Sequence, residues 1–220
     1  RSTLFPYTTL FRSASLLETG AEKVNLIAHS KGGLDARMAI STYGCGGKVA
    51  SLTTIAPPHR GSRTIDRLIR MPHAVWGLAA FAVNNWIRIV GDKEPDFLRL
   101  CEGFTTESMR RFNEQNPNVA GVFYQSYCCV MAHPLSDINL STANFVLNRL
   151  EGPNDGLVSL ESARWGEKTH VLRSNGFRGV SHLDAIDLRR YPLSRKTGDG
   201  VSDIVDVYLK MVSDLKKRGY

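Results

Sequence analysis

Ser30 is the residue whose surroundings point most directly to chemistry. It stands in Ala28-His29-Ser30-Lys31-Gly32-Gly33, directly after a short apolar run and directly before a stretch of helical periodicity. A serine on a sharp strand-to-helix turn is pushed out of the sheet edge at the helix N-terminus, and small residues two before and two after it let strand and helix approach. Glycine is usual at the first of these positions; Ala28 stands there and still fits. Such a hydroxyl becomes a nucleophile when a base takes its proton and an acid orients the base. Five of the six histidines have structural readings. His29 lies inside the turn, where its backbone position matters more than its ring. His59 follows Pro57-Pro58 in a loop, His73 lies in an apolar stretch, and His133 and His170 flank strands. His182, in Gly179-Val180-Ser181-His182-Leu183-Asp184, falls in a loop after the last candidate strand. Asp155, in Pro153-Asn154-Asp155-Gly156, falls in a turn beside a short extended run. Alone, Asp155 reads as a turn residue; beside Ser30 and His182 it reads as the acid.

The elements that must position these groups are legible from periodicity. Residues 23–28 (KVNLIA) read as a buried strand, residues 34–43 as a helix closed by Gly44, and residues 49–56 (VASLTTIA) as a second buried strand broken by Pro57-Pro58. Strand, helix and strand with short connections form a βαβ unit, so the sheet is expected to be parallel. Residues 104–115 read as a helix with a capping signal at Thr105-Thr106-Glu107, and residues 122–131 as a third strand. Residues 169–172 are a further candidate strand. Residues 201–217 read as an amphipathic helix with Ile204, Val205, Tyr208, Val212 and Leu215 on one side. Residues 72–90 (PHAVWGLAAFAVNNWIRIV) approach membrane-spanning length, but Asn84, Asn85 and Arg88 argue against a span. They read either as a buried core helix or as an apolar cap over a pocket.

Composition excludes several classes. Hydrophobic residues make up 42% and charged residues 22% of 220, values of an ordinary globular domain rather than a disordered, collagen-like or disulfide-dense chain. The net charge of +7 comes from scattered residues, with one basic run, Lys216-Lys217-Arg218, at the end, which does not make a nucleic-acid footprint. Cys45, Cys101, Cys128 and Cys129 fit no zinc spacing, and the adjacent pair reads as two small core hydrophobes. Residues 3–13 read TLFPYTTLFRS, the in-frame translation of a common short-read sequencing adapter. Residues 1–13 are therefore expected to be non-native. A partial domain is then expected over residues 14–220, with N-terminal strands missing, an exposed sheet edge, low activity and a tendency to aggregate.

Five blocks in order resemble the bacterial triacylglycerol lipases of the α/β-hydrolase fold, the group that includes Pseudomonas and Burkholderia enzymes. They are VNLIAHSKGG at the elbow, SLTTIAPPHRGS after the second strand, GFTTESMRRFNEQNP, GPNDGLVSLESARWG around Asp155 and SHLDAIDL around His182. The resemblance covers most of residues 22–190. It implies a mostly parallel sheet with helices on both faces and a helical lid within about residues 60–100, and it implies Ser30 as nucleophile, Asp155 as acid and His182 as base, in the chain order Ser, Asp, His of that fold. One oxyanion donor would be the backbone N–H of Lys31; the second normally follows an earlier strand, which the sequence does not contain. The family often holds a structural Ca²⁺ near the base. Asp184 and Asp137 match two of its ligand positions, while Leu188 replaces an amide ligand. No other cofactor is implied. The substrate would be a lipid or other ester, met at a lipid–water interface. The same triad would also serve a soluble-substrate esterase, a thioesterase or an acyltransferase, and the fold could also serve a non-catalytic binding protein.

Overall fold

Two short apolar runs and one longer one build the centre of the sheet. The computed structural model describes residues 18, 20–72, 97–173, 177–188 and 204–220. Within them β1 (Val24–His29), β2 (Val49–Ile55), β3 (Phe123–Cys129) and β4 (Lys168–Leu172) lie side by side in that order, all parallel. β2 is almost wholly buried and β3 is buried throughout. A parallel strand covered on both faces needs such continuous apolar or internally bonded sequence. The polar members of these strands pair inside: Gln125 Nε2 donates to Thr53 Oγ1 at 2.8 Å and Ser51 Oγ to Asn25 Oδ1 at 2.7 Å.

Helices cover both faces. On one, Ile27, Ile55, Tyr127 and Cys129 pack against Ile204, Val207 and Met211 of α7 (Ile204–Lys217). On the other, Leu26, Ala28, Leu52 and Tyr124 pack against Ala36 and Ile40 of α1 (Lys31–Ile40). Alternate residues of β1 thus feed opposite cores, as the period of a strand requires. Between β2 and β3 come α2 (Arg63–Ile69), α3 (Phe97–Gly103) and α4 (Thr106–Gln115). Between β3 and β4 come α5 (Ser141–Leu150) and the single-turn α6 (Leu160–Ala163). Asp66 of α2 accepts from Thr106 N at 2.9 Å and Thr106 Oγ1 at 2.6 Å, tying α2 to the start of α4. Among the described residues no helix is long and apolar enough to cross a membrane.

Two expectations need correction. Helix α1 begins at Lys31, directly after Ser30, and not at residue 34. The two glycines that read as a turn are its first coils. The buried face of α7 is Ile204, Val207, Met211 and Leu215, whereas Val205 and Val212 are exposed. The 3-4-4 spacing of the former set keeps one stripe on the sheet; the methyl-rich pattern of the latter misplaced it. Helix α5 was not expected at all. Residues 1–13 and all but the first residue of the apolar stretch 72–90 lie outside the described residues, as does most of the proposed lid at 60–100.

Candidate active site

The end of β1 turns into α1 at Ser30, which has φ 52° and ψ −133°, a conformation that side-chain-bearing residues rarely adopt. Its own N–H donates to Ile55 O of β2 at 2.8 Å, and Gly33 N donates to Ser30 O at 2.9 Å, so the strain is held from both sides. The glycine that permits the close approach is Gly33. A Cβ there would sit 3.0 Å from Thr54 Cγ2 and 3.2 Å from Pro57 Cβ, whereas one on Gly32 would meet nothing within 4 Å. The sequence reading had assigned that task to the residue two after Ser30.

His182 and Asp155 come to Ser30 from the far side of the sheet. After β3, Ala132 N donates to Arg178 O and Val180 N to Val130 O, at 2.9 and 2.8 Å, zipping the loop that carries His182 against the β3 extension. His182 N then donates to Asp155 O at 2.8 Å. The ring of His182 lies with Nδ1 2.8 Å from Asp155 Oδ2 and Nε2 3.0 Å from Ser30 Oγ. Nδ1–H donates to the carboxylate, leaving Nε2 to accept from the serine hydroxyl; these partners assign the tautomer. Asp155 is 1% exposed and His182 4%. The other carboxylate oxygen of Asp155 accepts from Leu157 N and Val158 N at 2.9 and 2.8 Å, so the carboxylate is fixed by its own turn as well as by His182.

Asn154 and Asn144 hold the turn of Asp155, a support that sequence reasoning missed. Asn144, on α5, donates to Asn154 Oδ1 at 2.8 Å; Asn154 donates back to Asn144 O at 3.2 Å and receives Gly156 N at 2.9 Å. Both side chains are buried, so every bond counts, and they anchor the turn that aims Asp155. The signal was the asparagine preceding Asp155, legible only with α5 in place.

Asp137 and Asp184 meet at one residue. Ser181 Oγ donates to Asp137 Oδ2 at 2.8 Å, and Ser181 N donates to Asp184 Oδ2 at 3.0 Å. Both carboxylates are buried, and they converge on Ser181, the residue directly before His182. Two acids gathered there suit a hard cation, which needs further oxygens as well. Among the described residues no group of three or more His, Cys, Asp or Glu side chains is placed to hold a metal. Leu188 is exposed.

Among the described residues, the remaining histidines stay away from Ser30, with one exception. His59 is fully buried: Arg37 Nη1 donates to its Nδ1 at 3.2 Å, so its Nε2–H faces Thr54 Oγ1 at 3.1 Å. Burial and the adjacent guanidinium push its pKa well below the ordinary value. Arg37 is itself 1% exposed, stacked 3.6 Å over the ring of Trp165 and bonded to Asn113 Oδ1 and Asn116 O; burial lowers its pKa to about 10. His133 packs on Phe177 and His170 stacks on Tyr127, while His73 lies outside the described residues. His29 is the exception, its ring centroid 4.5 Å from that of His182. Cys128 and Cys129 are buried free thiols, packed as hydrophobes.

No family model matches the chain. Over 212 residues, 90% of its length, it is 34% identical to Triacylglycerol lipase 2 of Saccharomyces cerevisiae, and it spans 58% of that protein. It is 30% identical over 217 residues to a triacylglycerol lipase of Vibrio cholerae, covering 82% of this chain and 68% of the relative. Among solved structures, a metagenomic carboxyl esterase superposes with TM-score 0.55 at 20% identity, over 78% of this chain and 50% of the other. The mature form of a Bacillus licheniformis lipase gives 0.53 at 22%, over 79% and 63%. These two likenesses show the fold, an α/β-hydrolase sheet with helices on both faces. With a bacterial relative matched over most of both chains and a yeast relative over most of this one, the chain is a member of the triacylglycerol lipase family.

Proposed function

We propose that this protein hydrolyses carboxylic esters of lipids through a serine acyl-enzyme, with Ser30 as nucleophile, His182 as base and Asp155 as the acid that orients it. The observation that carries this reading is the unbroken chain from Asp155 Oδ2 through His182 to Ser30 Oγ, 2.8 and 3.0 Å long, ending on a strained elbow. His182 Nε2 takes the hydroxyl proton as Ser30 Oγ bonds to the ester carbonyl carbon. Charge passes to the carbonyl oxygen, where the N–H of Lys31 stands as donor, a first-turn amide of α1. Collapse breaks the bond to the alcohol oxygen, which leaves with the proton from His182. Water then repeats the cycle on the acyl-enzyme and regenerates Ser30. Asp155 holds the imidazolium through its bond to Nδ1.

The names of the relatives favour an acylglycerol substrate over a soluble ester. The apolar stretch 72–90 would serve as a lid that opens at a lipid surface. Asp137 and Asp184 would hold a structural Ca²⁺ behind the base, supplying no step of the reaction.

Hydrolysis of short- and long-chain acyl esters, measured below and above the concentration at which each aggregates, tests this reading. A rise in rate at the aggregation threshold is the expected result. Activity without that rise replaces the lipase reading by a plain esterase, and acyl transfer to added alcohols in preference to water replaces it by an acyltransferase. Absence of activity on every ester overturns it.

A further inference from the structure

The ring of His29 performs no step in the mechanism above, yet it lies against the base. Its centroid is 4.5 Å from that of His182, with the planes tilted by 52°. Its Nε2 is buried without a hydrogen-bond partner, so the ring meets the base residue by packing alone at that nitrogen. His29 therefore lies ring against ring on the base residue, from the position next to the nucleophile.

We propose that His29 is a positioning residue for the reaction: it clamps His182 between Ser30 and Asp155 and keeps water off the flank of the imidazole. This rests on the assignment of Ser30 and His182 above. Ser30 and His29 are adjacent on one rigid elbow, so the clamp ties the loop of the base directly to the turn that aims the nucleophile. It acts beside the His182–Ser30 bond, while bonds of Ser181, Asp184 and Val180 tie that loop to itself and to the β3 extension. The clamp must stay uncharged to lie beside an imidazolium. Burial first, then the charge of His182, lowers the pKa of His29 to about 4, against a smaller opposing pull from Asp155; His182 and Asp155 are the titratable groups acting on it.

The test compares His29→Ala, which removes the ring contact, with His29→Phe, which keeps a flat ring against His182. Rates on a water-soluble short-chain ester are followed from about pH 5 to 9, with melting temperature and labelling by a fluorophosphonate measured on the same samples. His29→Ala is expected to lower kcat roughly tenfold with KM within about twofold, because the base is misplaced while the substrate site is untouched. His29→Phe should recover most of kcat. An unchanged kcat in His29→Ala overturns the proposal, and so does a loss that His29→Phe does not reduce and that follows the melting temperature. Failure of the parent protein to be labelled at Ser30 overturns the nucleophile assignment instead, and the clamp with it.

Discussion

His182 Nε2 lies 3.0 Å from Ser30 Oγ although 152 residues separate them in the chain. Nothing local brings the two together. Ser30 is presented by the β1–α1 elbow, and His182 by a loop bonded to the extension of β3, two strands away. The parallel sheet places both at the C-terminal edge of its strands, where the side chains of separate loops converge.

Replacing Asp155 by Asn leaves the turn nearly isosteric but removes the charge that holds the imidazolium. Activity on a soluble ester should fall by roughly 10²–10⁴, with KM changed little. Retention of more than about a tenth of the rate would show that His182 is oriented by something other than Asp155.

Gly33→Ala places a methyl group 3.0 Å from Thr54 Cγ2 and 3.2 Å from Pro57 Cβ. Overpacking of that order destabilises by about 1–3 kcal/mol, and the strain falls on the elbow that carries Ser30. The denaturant midpoint should drop together with kcat. Gly32→Ala, which meets open space, is the control and should leave the midpoint in place or raise it slightly.

Stability should decline in mild acid. His29 and His59 are both held neutral in the folded state, His29 with its pKa lowered from 6.5 to about 4 and His59 well below 6.5. A base whose folded pKa is depressed contributes stability that is complete above the unfolded pKa and is lost as pH falls below it, because the unfolded chain takes up protons that the folded one refuses. The loss therefore begins near pH 6.5 and continues toward about 4, each histidine adding at most about 1.4 kcal/mol per pH unit. Urea unfolding at a series of pH values measures it, and His59→Gln should flatten the slope while lowering stability throughout. A slope unaffected by His59→Gln would mean that this histidine does not stay neutral.

A Ca²⁺ held by Asp137 and Asp184 would stabilise the loop of the base by mass action. Removal by a chelator should then lower the melting temperature by several degrees, by roughly 1–2 kcal/mol in a domain of this size. Asp184→Asn should abolish the chelator effect. An identical melting curve with chelator and with added Ca²⁺ would leave these carboxylates as hydrogen-bond acceptors and not metal ligands.

The elbow was legible because its demands are local: an apolar run, a small residue, a serine and glycines that let α1 start at once. The strands were legible for a similar reason, since residues buried on both faces must be apolar or bonded to each other. Helix α5 was not. Its sequence, STANFVLNRL, buries only Asn144 and Leu147 and leaves Phe145 half exposed, so no apolar stripe announces it. Its polar Asn144 is meaningful only against Asn154 of the acid turn. The face of α7 was misplaced because Val205 and Val212 are apolar yet exposed, and Met211 supplied the contact instead. His29 and His59 looked unremarkable because a histidine in a loop or turn shows nothing of what its ring will meet. The pairing of His29 with His182 and of His59 with Arg37 exists only in three dimensions.

The most direct test of the central claim is to treat the protein with a fluorophosphonate and locate the adduct by peptide mass spectrometry. The account predicts a single adduct on Ser30, absent in Ser30→Ala and strongly slowed in His182→Ala, with ester hydrolysis lost in step. An adduct on another serine, or hydrolysis that survives Ser30→Ala, would contradict it.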